Sequence, residues 1–199
     1  MIPVKPAPEP PDFDKKVRQP GKKWLANPKN ANVNPSNYKN YWTKCIPDLA
    51  SSYNHMCAYL AECFPSAFGA DSVDHFVPKS DPINGKNLAY EWRNYRLSSI
   101  GANRKKNNKI SPIDPFTMQP DSFFIDFSDG HIFPNPAKTK DYKNDCLVAI
   151  DVLLLNMKVF CDMRLSRFND YVLYDLPDAY MRKYSPFVWS EICRQGLKK

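Results

Sequence analysis

Prolines restrict this chain's folding more than any other feature: eight of its 19 fall within residues 1–36, at positions 3, 6, 8, 10, 11, 20, 28 and 35. A proline inside a helix removes a backbone donor and its ring clashes with the preceding turn, so a long helix is excluded there. Asparagines spaced from Asn27 to Asn37 add turn propensity. The segment is expected to run extended as an N-terminal arm over residues 1–36, anchored by Phe13, Trp24 and Leu25.

Beyond the arm, apolar spacing takes over. From Tyr38 to Cys63 the residues Tyr38, Trp42, Ile46, Leu49, Tyr53, Met56, Cys57 and Leu60 recur at three- or four-residue steps, predicting one helical face with a second helix begun by Pro47. Residues 122–134 predict a β-hairpin, with Ser128-Asp129-Gly130 at its tip. Residues of about 144–195 predict helices, the first capped by Asn144, the next by Asn156 and ending near Tyr174, then two short ones after Pro177 and Pro186. The fold class is therefore α+β, mostly helical around a small central β element, with residues 37–199 as one domain. A length of 199 residues with 43% hydrophobic and 25% charged side chains fits such a domain and excludes a solenoid or a multidomain assembly.

No apolar run reaches the roughly 18 residues that a membrane-spanning helix needs, and the start Met-Ile-Pro-Val-Lys-Pro has no signal core. A soluble, cytoplasmic protein without a membrane partner is the expectation. The six cysteines, at 45, 57, 63, 146, 161 and 193, include no C-x-x-C pair and read as reduced, mostly buried thiols.

Charge is uneven. Lysine and arginine number 28 against 21 acids. Residues 1–40 carry eight cations and three acids, and residues 76–109 eight and two, whereas 41–75 nets −3 and 110–199 nets −1. Local positive charge of this kind favours a phosphate backbone as partner.

Three short elements lie in and beside the second basic segment: Ser72-Val73-Asp74-His75-Phe76-Val77-Pro78-Lys79-Ser80, Tyr90 to Ser98 with Asn94 in its turn, and Ala102-Asn103-Arg104-Lys105-Lys106-Asn107. They predict an Asp-His pair on a strand, a polar turn, a strand from Tyr95 to Ser98, and a helix from about Gly101. Other polar groups have plainer explanations. His131 with Asp126 and Asp129 belongs to the Asp-Gly turn, His55 to a helix surface, and Trp92 and Tyr95 to the core.

In order and spacing these elements resemble the HNH endonuclease family, whose active site is a ββα element binding one divalent metal, here over about 71–109. The Pro-rich opening, Trp42, the segment Leu88 to Leu97, Asp114-Pro-Phe and Leu155-Asn156 are similar to bacterial HNH nucleases of Septu and retron antiphage systems. The resemblance implies His75 as general base and Asn94 as the middle asparagine that braces the loop and orients the base. It implies Asp74 and Asn103 as metal ligands, an oxygen set suited to Mg2+ or Mn2+. Lys79, Arg96, Arg104, Lys105, Lys106 and Lys109 would contact DNA phosphates. Many relatives carry a four-cysteine zinc ribbon, whose ligands would fall near Cys57, Leu60, Ser99 and Ala102. Three are missing, so no structural zinc is expected.

The implied activity is metal-dependent hydrolysis of DNA phosphodiester bonds by an antiphage effector. An ABC-type ATPase, a retron nucleic acid or a second copy of the chain would be its partners. Two other classes remain beside it: a catalytically silent nucleic-acid-binding or scaffolding subunit of an ATPase complex, and a secreted nuclease toxin.

Overall fold

The computed structural model describes residues 1–64 and 71–199. The chain is α+β, about half helical, with two separate two-stranded antiparallel sheets. It divides into two compact units. One holds Pro6–His55 and the described part of Pro65–Ile110, the other Met1–Lys5, Met56–Phe64 and Ser111–Lys199. Among the described residues no helix is long and apolar enough to cross a membrane.

In the first unit the Pro-rich segment is not extended throughout. A π-helical turn, Asp14–Arg18, runs directly into α1 (Gln19–Ala26). Pro20 is the only proline of that stretch and lies at the start of α1, where the missing N–H costs least. Pro28 and Pro35 each open a 3-10 turn, and the asparagine before each accepts a hydrogen bond from the backbone N–H of Lys29 or Ser36. The predicted anchor Phe13 is fully buried, edge-on to Trp92 at 5.5 Å and to Tyr95 at 5.8 Å, while Trp24 and Leu25 are half-buried. Gly21 lets α1 approach this core, because a Cβ there would lie 2.2 Å from Tyr90 Cγ.

The helix expected from Tyr38 onward is a 3-10 segment, Tyr41–Cys45, continuing into α2 (Ile46–Ser52) with Pro47 in its first turn. It stops where Asn54 and His55 take positive φ. The apolar spacing persists beyond that point because Cys57 and Leu60 are buried within the other unit.

β1 (Asp71–His75) pairs antiparallel with β2 (Tyr95–Ser99), in a register that sets Asp74 opposite Arg96 and His75 opposite Tyr95. The connection carries α3 (Gly85–Leu88) and a 3-10 turn, Trp92–Asn94. α4 (Ile100–Lys106) follows β2 with no loop, because Ser99 ends the strand and also caps the helix, its Oγ accepting from Ala102 N at 3.2 Å.

The second unit contains the expected hairpin, β3 (Phe123–Ile125) with β4 (Ile132–Pro134). Asp126 and Asp129 serve its turn by accepting from Ser128 N and His131 N, each at 2.8 Å. α5 (Lys140–Val152) is capped by Thr139, earlier than Asn144. α6 (Lys158–Tyr174) has no Asn156 cap either. That amide instead brackets Ile132, accepting from its N at 2.8 Å and donating to its O at 2.9 Å, as a neighbouring strand would. α7 (Asp178–Tyr184) and α8 (Pro186–Arg194) begin after Pro177 and at Pro186, as expected.

Candidate active site

His75 ends β1, 8% exposed, with its ring edge-on to Trp42 at 4.8 Å and to Tyr95 at 5.1 Å. Its Nε2 lies 2.9 Å from the carbonyl oxygen of Ala89. A carbonyl only accepts, so Nε2 carries the proton and Nδ1 keeps its lone pair. Burial first, and the positive charge of Lys79 second, lower the imidazole's pKa to about 3. The ordinary titration near pH 6.5 expected of this residue is therefore displaced, and the ring is held neutral.

Asp74 precedes it, 2% exposed, and meets α4. The ammonium of Lys106 donates to Asp74 Oδ1 at 3.0 Å and to the carbonyl of His75 at 2.9 Å, and Lys106 is itself 0% exposed. Asn103, one turn earlier on α4, donates through Nδ2 to Ser72 Oγ at 3.1 Å and to Val73 O at 3.0 Å. Its amide protons are committed to β1, so Oδ1 is the side-chain atom with lone pairs to offer.

Asn94 is a brace. Its side chain accepts from Val77 N at 2.9 Å and donates to Val77 O at 3.0 Å and Leu88 O at 3.2 Å, while its own carbonyl accepts from Phe76 N at 2.9 Å. These bonds tie the chain before α3 to Leu88, the last residue of α3, which directly precedes Ala89, the partner of His75.

A cleft of about 310 Å3 opens here, lined by Trp42, Val73, Asp74, His75, Pro78, Lys79, Asn103, Arg104, Asn107 and Asn108. Five residues singled out from the sequence thus meet in one place: Asp74, His75, Lys79, Asn103 and Arg104. Lys79 lies with its ammonium 4.2 Å over the Trp42 ring, and burial lowers its pKa.

Others do not meet them. Asn94 lies outside the lining. Arg96 is 3% exposed and turned inward, donating to Arg93 O at 2.9 Å and Tyr95 O at 3.0 Å and stacking 5.0 Å over Phe76. Arg96 and Lys106, both expected to contact phosphates, are internal cations in this structure. Lys105 and Lys109 are exposed but outside the cleft. Apolar spacing places Trp42 on a helical face. Its place beside His75 has no signal in spacing, since the 3-10 segment that carries it lies 33 residues upstream.

The described cleft lining contains one acid and two basic side chains, with an aromatic wall and a neutral imidazole. Such a lining has the chemistry to receive an anion beside an unprotonated ring nitrogen. Among the described residues no cluster of three or more His, Cys, Asp or Glu side chains forms a metal cage.

The chain thus has an α+β fold with a basic, imidazole-bearing cleft at a strand–strand–helix junction. No family model matches it. Over 91 residues it is 34% identical to the Vibrio cholerae (serotype O1 biovar El Tor) protein named "Retron Vc95 putative HNH endonuclease". The match covers 42% of this chain and 44% of that protein, so the chain spans under half the relative's length. The likeness supports an HNH-type relationship and suggests a nuclease.

Proposed function

We propose that this chain is a metal-dependent HNH endonuclease that hydrolyses DNA phosphodiester bonds. One observation carries the reading: the basic cleft holds a neutral imidazole with Nε2 tied to Ala89 O and Nδ1 left as proton acceptor. His75 Nδ1 takes the proton of the attacking water, its ring steered by Ala89 and walled by Trp42, once the phosphate's negative charge offsets Lys79 and raises the low basicity that the ring has in the nucleic-acid-free cleft. Lys79 and Arg104 neutralise the phosphate. Asp74 and Asn103 offer a carboxylate and an amide oxygen in the same cleft, a donor set that fits a hard cation such as Mg2+ or Mn2+. When bound, that cation would supply charge stabilisation to the phosphate and the departing oxygen.

The relative's name refers to a retron. By extension we assign this chain the role of effector in an antiphage complex, with an ABC-type ATPase, a retron nucleic acid or a second copy of the chain as partners. A second reading, a catalytically silent nucleic-acid-binding or scaffolding subunit, is favoured by the Lys106 ion pair that already engages Asp74.

Plasmid cleavage in Mg2+ separates the two. The chain, with any co-purifying partner, converts supercoiled plasmid to nicked or linear forms, and His75→Ala lowers the rate by at least about a hundredfold, the usual value of a general base. Cleavage undiminished in His75→Ala sinks the nuclease assignment. Binding without cleavage in the parent chain establishes the silent one.

A further inference from the structure

Lys106 gives the cleft an unusual charge balance. Its ammonium is fully buried and touches both Asp74 Oδ1 and the His75 carbonyl, so the carboxylate meant for a cation already has an internal one. Arg96 stands opposite Asp74 in the strand register, a second cation on the same sheet face. Asp74 is the sole acid among the described lining residues, whereas Lys79 and Arg104 add two positive charges. A divalent cation entering the nucleic-acid-free cleft meets no net negative charge. A phosphodiester brings the charge that is missing.

We propose that the divalent cation and the nucleic-acid phosphate bind this cleft as a mutually dependent pair, and that Lys106 imposes the dependence by neutralising Asp74 in advance. The proposal rests on the metal-site reading above and deepens it. Linkage makes the effect reciprocal: whatever factor the phosphate adds to cation affinity, the cation adds to phosphate affinity. The consequence is a cleft that stays unloaded until substrate arrives, so that ambient Mg2+ alone does not assemble the site.

The test uses the full chain carrying His75→Ala, so that the duplex survives, with Mn2+ as probe. Paramagnetic broadening of the Asn103 side-chain amide signal reads occupancy at this site rather than on the DNA. A short phosphate duplex is expected to lower the Mn2+ dissociation constant about tenfold or more, within the usual range of two-ligand coupling. The same duplex with neutral methylphosphonate linkages is expected to leave it unchanged. In the DNA-free chain, Lys106→Met should tighten Mn2+ severalfold and shrink the coupling. Lys106→Gln, which keeps a donor toward Asp74 and the His75 carbonyl, serves if the methionine variant fails to fold. Equal Mn2+ affinity with and without the phosphate duplex overturns the coupling while leaving the metal site intact. Absence of Asn103 broadening under every condition overturns the metal site itself, and the proposal with it.

Discussion

Cys45 is 1% exposed, and burial, reinforced by the Asp48 carboxylate, pushes its thiol up to about 12. Cys146 is pushed up to about 11 by burial and then by Asp145, and burial also raises Cys161, although the neighbouring Arg164 pulls the other way. Cys193 is exposed and Cys63 half-buried. Because the thiolate is the reactive form, a raised pKa and lost access act in the same direction. At pH 8 a thiol reagent applied to the native chain is expected to label Cys193 first and Cys63 next. Cys45, Cys146 and Cys161 should react only after denaturant is added. Rapid native-state labelling of Cys45, read by peptide mass mapping, would contradict this packing. The same physics at His75 shows why a residue's identity is legible in sequence and its titration is not. The Asp-His doublet is visible as letters, but the lowered pKa comes from burial beside Trp42 and Tyr95 and then from Lys79, against the opposite pull of the Ala89 carbonyl, and folding alone brings these groups together.

Among the elements, α1 and α4 carry glycines in opposite circumstances. A Cβ on Gly21 would enter the Tyr90 ring, whereas one on Gly101 would meet nothing within 4 Å. Gly21→Ala is therefore expected to destabilise the fold by about 1–3 kcal/mol, the usual cost of overpacking. Gly101→Ala is expected to stabilise it by up to about 1 kcal/mol through helix propensity. Denaturant midpoints check both, and a Gly21→Ala chain as stable as the parent would refute the close approach of α1. Tyr90 also lies 5.8 Å from the Trp42 ring, so the same substitution presses toward the wall of the cleft.

Elements with local signals were legible: the hairpin of Asp-Gly and alternating Phe and Ile, the helices opened by Pro177 and Pro186, and β2 running into α4. Those set by distant partners were not. α1 forms in a Pro-rich stretch because its first turn tolerates Pro20 and Tyr90 supplies a surface to cover. Asn156 reads as a cap from sequence, but the open edge of β4 takes its amide. Of the candidate site, the strand-end pair and Asn103 were singled out by the family resemblance, and the structure places them at one cleft. The inward turn of Arg96 and Lys106 did not, because a lysine's letter carries no information on whether an acid awaits it in the interior.

At the scale of the whole molecule, the excess of 28 cations over 21 acids does not act as a uniform coat. Three of the eight N-terminal cations are paired within the chain: Arg18 with Glu9, Asp14 and Glu91, Lys22 with Glu91, and Lys16 with Asp12. Lys106 is spent on Asp74. Among the described residues Arg104, Lys105 and Lys109, in or just after α4, make no ion pair, and all three are exposed. They are the cations best placed to displace counterions from a phosphate backbone. Each phosphate neutralised on duplex DNA contributes about −0.9 to the slope of log affinity against log salt. Replacing all three by alanine is thus expected to flatten that slope by about 2 to 3, whereas replacing Lys16 and Lys22 should leave it within about 0.5, their charge being matched by Asp12 and Glu91. Fluorescence anisotropy with a labelled duplex between low and moderate salt measures both. A slope that falls for the arm variant and not for the α4 variant would move the nucleic-acid path away from the cleft, and with it the assignment of His75 as the base.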